Sequence, residues 1–132
     1  MEVLSNKYFI TLVVPLMFML CTASAKKLIR GKGWKKEDFY FGVDLHLSTL
    51  ALCFTYATDL FVAKNQADLT RGIKAIVWAT ITLCFLFICM GFHQDWEKQR
   101  DHPKTAFLLL GILFNLLGIF IMCGFLILIK GV

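Results

Sequence analysis

Charge is scarce in this chain of 132 residues: Asp, Glu, Lys and Arg make up 17% of it, and only nine residues are acidic. With 58% hydrophobic residues and a mean hydropathy of +0.70, too few polar side chains remain to cover a water-soluble domain of this size. Recognisable catalytic motifs are missing as well. The sequence contains no H-E-x-x-H, no G-x-S-x-G and no dinucleotide or kinase signature, which excludes those enzyme classes as such. Gly31-Lys32-Gly33 lacks the preceding strand and the G-x-x-x-x-G-K-[ST] frame of a phosphate loop. No CxxC pair occurs, and Cys21, Cys53, Cys84, Cys89 and Cys123 all fall within apolar runs, where cysteine acts as a small hydrophobe; a disulfide framework is not expected. There is no internal repeat and no low-complexity tract.

What the chain does have is four apolar stretches, running approximately from Tyr8 to Ala25, Phe39 to Ala63, Ile73 to Phe92 and Thr105 to Ile129. Each is long enough to cross a hydrocarbon layer of about 30 Å as a helix. Unpaired peptide groups in lipid cost several kcal/mol, so each stretch must close its own hydrogen bonds. The expected fold class is therefore an all-α membrane protein, a four-transmembrane-helix bundle forming one domain over residues 1–132, with short loops and no soluble domain. Lys7, the apolar core and Ala23-Ser24-Ala25 imitate a cleavable secretory signal. The basic cluster that follows resists translocation, so the segment is expected to stay as an anchor.

The net charge of +5 reads as topology, and nucleic-acid binding is not expected because no recognition fold fits. Nine basic residues lie in the first and third loops: Lys26, Lys27, Arg30, Lys32, Lys35, Lys36, Lys98, Arg100 and Lys104. Five lie on the other side, Lys7, Lys64, Arg71, Lys74 and Lys130. The positive-inside rule then places residues 26–38 and 93–104 in the cytoplasm of what reads as a bacterial inner-membrane protein, with both termini outside. Lys26, Lys27, Arg30, Lys32, Lys35 and Lys36, together with Trp34 and Trp96, are expected to face lipid headgroups, at roughly 1 kcal/mol per Lys or Arg for an anionic surface.

The second span carries two carboxylates, and an ionisable group in a span is a functional candidate by default. At 100° per residue, Asp44, Ser48, Ala51, Thr55, Thr58 and Asp59 share a stripe about 100° wide, which should face protein or water. Asp44 and Asp59 lie about 22 Å apart along the axis and cannot form one catalytic dyad. They either line a wet path or make ion pairs that fix packing, with Lys104 or His93 as candidate partners for Asp44 and Lys64, Arg71 or Lys74 for Asp59. The packing reading is preferred. His46 and Cys53 fall opposite this stripe and read as packing residues.

Small-residue faces appear on the third span, at Ala75, Ala79 and Thr82, and on the fourth, at Gly111, Asn115 and Gly118. In lipid, close approach over small side chains and polar bonds of about 0.6 to 2 kcal/mol hold helices together, so these positions are expected to mediate helix packing. Asn115 should meet another helix, because an unpaired amide in mid-span is costly. Pro15 is expected to bend the first span. His93 and His102, near Asp95, Glu97 and Asp101, read as a solvated mixed-charge loop; no metal, catalytic group or cofactor is assigned.

Three functional expectations follow. The leading one is a non-catalytic membrane protein that self-associates or docks to partner proteins, as a pore or as the membrane subunit of a multi-protein system such as export or phage defence. The second is a small dimeric secondary transporter using Asp44 or Asp59. A lipid-interface enzyme using Asp44, His93 and the basic loop is the third.

Overall fold

A computed structural model describes residues 7–31, 33–62, 65–98, 105 and 107–131. It is all-helical, with no strand among the described residues. Four helices are long and apolar enough to cross a membrane: α1 (Lys7–Arg30), α2 (Gly42–Val62), α3 (Gln66–Lys98) and α4. The last is wound in three consecutive pieces, a π-helical Phe107–Leu113, an α-helical Phe114–Gly124 and a π-helical Phe125–Lys130. A single 3-10 turn, Lys36–Phe39, sits between α1 and α2. Of the residues expected at headgroups, Lys32 and the side chains of Lys36 and Trp96 lie outside the described part, as do residues 64, 100–104 and the side chain of Lys130.

The helices outrun the apolar stretches that encode them. α1 continues through Lys26, Lys27 and Arg30 instead of stopping near Ala25, because Lys and Arg are good helix formers and place basic charge at the helix C-terminus. Pro15 lies inside α1 without ending it. α3 begins at Gln66, seven residues before Ile73, since Asn65 caps it: its side-chain oxygen accepts the Asp68 N–H at 2.8 Å, and its amide nitrogen donates back to the Asp68 carboxylate. At 33 residues, α3 is about 50 Å long and exceeds the hydrocarbon thickness at one or both ends.

α2 touches all three other helices, packing antiparallel against α3 and parallel to α4. The α2–α4 approach depends on glycine. A Cβ on Gly118 would lie 2.8 Å from Leu45 Cβ, and one on Gly42 would lie 2.8 Å from Phe114 Cβ. α3 reaches α4 at Trp78, whose indole N–H donates to the Ile121 carbonyl at 3.2 Å and whose ring lies over Gly124, where a Cβ would meet it at 2.7 Å. Inside, Leu45, Cys53, Ala57, Ala75, Ala79, Met122 and Phe125 form one buried cluster. Leu110, Phe114 and Cys89 form a second near the loop-one end. Outside, Leu20, Phe87, Phe120 and Leu128 are each more than 60% exposed, a surface suited to lipid contact.

Candidate functional site

The polar chemistry gathers where α1 ends, α2 and α4 begin, and α3 finishes. Arg30, in the last turn of α1, donates through both terminal nitrogens to the buried carboxylate of Asp38 and to the Gly33 carbonyl at 2.7 Å. The Lys35 backbone N–H adds a further bond to Asp38 at 2.8 Å. The Arg30 guanidinium and this N–H hold the Asp38 carboxyl well below its usual range, at about 2. The basic loop is therefore tied down from within.

Beside it, Lys26 donates to Asp44 Oδ2 at 2.6 Å and to the Tyr40 carbonyl at 2.8 Å, and lies 5.7 Å from the centre of the Phe41 ring. Asp44 therefore has a cation from the end of α1, which the spacing does not suggest; of the candidates it does suggest, Lys104 lies outside the described residues. The Tyr40 ring meets the His93 ring edge-on at 6.2 Å. Lys26, Tyr40, Asp44, Met90, His93 and Gln94 line one cleft of about 260 Å³. Lys26 and Arg30, expected to face headgroups, are thus committed to carboxylates of their own chain. Lys27 and Lys35 are not: the Lys27 ammonium sits 4.5 Å above the Trp34 ring, and no carboxylate pairs with Lys35 among the described residues.

Asn115 makes the most consequential single contact. Its side-chain oxygen accepts the Phe41 N–H at 2.7 Å, while its amide nitrogen donates to the Phe39 carbonyl at 2.7 Å and to Gly111 at 2.8 Å. Its partner is thus the backbone entering α2, from the end of the 3-10 turn to the residue before the helix. Phe41 stands at the N-cap of α2, its own carbonyl accepting the Leu45 N–H at 2.8 Å. A side chain from α4 therefore satisfies a backbone donor that the start of α2 leaves open.

The stripe on α2 divides. Asp44 and Ser48 are half-buried, whereas Ala51, Thr55, Thr58 and Asp59 are exposed on the outside of the bundle. Its hydroxyls turn inward on their own helix: Ser48 donates to the Asp44 carbonyl at 2.8 Å, Thr55 to Ala51 at 2.9 Å and Thr58 to Phe54 at 2.6 Å. Asp59 lies in the last turn of α2 with no ion pair among the described residues; Arg71, one of its candidate partners, instead approaches Asp68 at 4.0 Å. On α3, Ala75, Ala79 and Thr82 are buried, and the Thr82 hydroxyl likewise donates within its own helix, to Trp78 at 2.8 Å. Gly118 is buried against Leu45, and Gly111 lies beneath the Tyr40 and Phe107 rings. His46 is fully buried, its Nδ1–H donating to the Gly42 carbonyl at 2.5 Å. Cys53, on the same side of α2, is also fully buried.

All five cysteines are free, and among the described residues no three His, Cys, Asp or Glu side chains gather in a metal-binding group. Compared with protein-family models, with curated proteins and with solved structures, the chain finds no match.

Proposed function

We propose that this chain is a non-catalytic, four-span integral membrane protein that works by association, docking the outer face of α2 against a second copy or the helix of a partner. The observation that carries this reading is the exposed run Ala51, Thr55, Thr58 and Asp59. Small side chains recurring every three to four residues let another backbone approach closely, which is what drives helix association where lipid supplies no hydrophobic contrast. Because the hydroxyls are already bonded within their helix, attraction comes from close packing along the face and from the Asp59 carboxylate at its end. The bundle axis is filled by side chains such as Leu45, Cys53 and Met122, so a conducting path, if this protein forms one, runs between copies.

The topology proposed with it places residues 26–38 and 93–104 on the cytoplasmic side of a bacterial inner membrane. The Tyr40–His93 contact supports a common side for these two loops, and the basic residues support its identity. Light scattering in mild detergent tests association: the wild type runs as an oligomer, and Ala51→Leu with Thr55→Leu, both on exposed positions, runs as a monomer. A monomeric wild type that also leaves liposomes sealed to ions removes self-association and the pore, and leaves only docking to a partner helix.

One observation favours a second reading, chemistry on lipid at the interface: Asp44 and His93 line the same cleft as Lys26. Incubation with phosphatidylglycerol and phosphatidylethanolamine vesicles, followed by lipid chromatography, tests it. Unchanged lipids dismiss this second reading and leave the first in place.

A further inference from the structure

A second opening at the loop-one end, a groove of about 480 Å³, shares no lining residue with the Lys26–Asp44 cleft and is built mostly from apolar side chains. Met19 of α1, Phe107 of α4 and, from the segment before α2, Phe39 and Phe41 line it. Its one strongly polar neighbour, Asn115, spends both side-chain atoms on the Phe39, Phe41 and Gly111 backbone, so the floor offers a ligand no free hydrogen-bonding group from that residue. The mouth differs. Trp34, half exposed and stacked on Phe39 at 5.7 Å between centroids, stands there with Lys35, and the Lys27 ammonium lies 4.5 Å from the centre of the same indole.

We infer that this groove is a binding site for one anionic phospholipid, with an acyl chain along Met19, Phe41 and Phe107 and the headgroup phosphate between Lys35 and Lys27. Charge complementarity selects the occupant. Lys26 and Arg30 are paired with Asp44 and Asp38, whereas among the described residues no carboxylate pairs with Lys27 or Lys35, the two lysines beside Trp34. A zwitterionic lipid fills the groove equally well but gains less at the mouth, because each lysine near an anionic headgroup favours it roughly fivefold. Trp34 adds an indole of the kind that settles at the headgroup level. The Arg30–Asp38 tie, with its bonds to Gly33 and Lys35, fixes the loop that presents both groups, so the site exists before the lipid arrives. The inference rests on the chain spanning a membrane; it does not depend on association through α2.

The test uses the full chain reconstituted in phosphatidylcholine vesicles, into which phosphatidylglycerol or phosphatidylcholine brominated at mid-chain is titrated while tryptophan fluorescence is read. The expected result is quenching by both lipids, with the brominated phosphatidylglycerol half-effective at a mole fraction lower by up to about 25-fold, roughly fivefold for each lysine. Trp34→Phe removes that excess while leaving the quenching common to both lipids. Lys35→Gln and Lys27→Gln each raise the half-effective fraction roughly fivefold, and 0.5 M salt shrinks the excess. Equal quenching by the two lipids overturns the site while leaving membrane insertion standing. An excess that survives the double lysine variant also overturns it, as does displacement by soluble glycerol phosphate, which would mean that the phosphate alone is recognised. Absence of quenching by either lipid overturns both this site and the membrane reading.

Discussion

Replacing Asn115 by Leu, which keeps the branch at Cγ but has no hydrogen-bonding atom, tests what a single amide does for the fold. The substitution removes three hydrogen bonds, but they are not equivalent. The Gly111 carbonyl belongs to α4 itself, and its loss costs little. The Phe39 carbonyl belongs to a residue 46% exposed and can recruit water or a headgroup. The Phe41 N–H cannot, because Phe41 is 4% exposed and sits against α4; an orphaned buried donor costs about 1–3 kcal/mol. With about 1 kcal/mol for the re-solvated carbonyl, the expected destabilisation is about 2–4 kcal/mol. A bond between polar groups in a membrane averages nearer 0.6 kcal/mol, because the unfolded state in lipid finds other partners. The donor at issue here is backbone ahead of a helix, with no intrahelical substitute, and so belongs to the costlier class. Reversible unfolding of the reconstituted protein in mixed micelles with increasing dodecyl sulfate measures the difference, and Thr55→Ala, whose hydroxyl bonds only its own helix, serves as the reference at under about 0.5 kcal/mol. If Asn115→Leu falls within that same margin, the account of how α2 begins is wrong.

Three further outcomes are expected. Gly118→Ala places a methyl 2.8 Å from Leu45 Cβ and should destabilise by about 1–3 kcal/mol, whereas Gly91→Ala, with nothing within 4 Å of its Cβ, should be neutral or stabilising by up to about 1 kcal/mol in the same unfolding assay. A double-mutant cycle on Lys26→Met and Asp44→Asn should give a coupling of about 0.5–1 kcal/mol, modest because both side chains are about one-third exposed. The Asp38 carboxyl sits at about 2 in the fold against 3.8 when free, so its contribution is complete above pH 4 and is lost as pH falls toward 2; Trp34 emission should shift over that window, and Asp38→Asn should flatten the shift.

The helices were legible because a bilayer-length apolar run leaves the backbone few options, and the structure holds four helices of that kind. Their ends were less so, since Lys26 to Arg30 and Gln66 to Gly72 are polar yet helical, held by propensity and by the Asn65 cap that an apolar count ignores. Pairings at a distance were not readable at all. Lys26 lies 18 residues before Asp44, and nothing in the spacing favours it over His93. For Asn115 the need for a partner is evident from its apolar surroundings, but its actual partner, the main chain of Phe39 and Phe41, carries no side-chain signature. The hydroxyls of Thr55, Thr58 and Thr82 look like bridges between helices when read on a wheel, yet a threonine can reach the carbonyl four residues back, and in this fold each of them does.

Because the amide that closes the entrance to α2 belongs to a residue 74 positions further along, α2 is synthesised before its cap can be made. At about 5–20 residues per second of synthesis, the peptide ahead of Gly42 waits roughly 4 to 15 s for Asn115 to emerge. During that interval water must stand in for the Asn115 amide at the Phe41 N–H. The entrance to α2 is therefore closed by the last helix, and truncation before α4 should leave it without that amide.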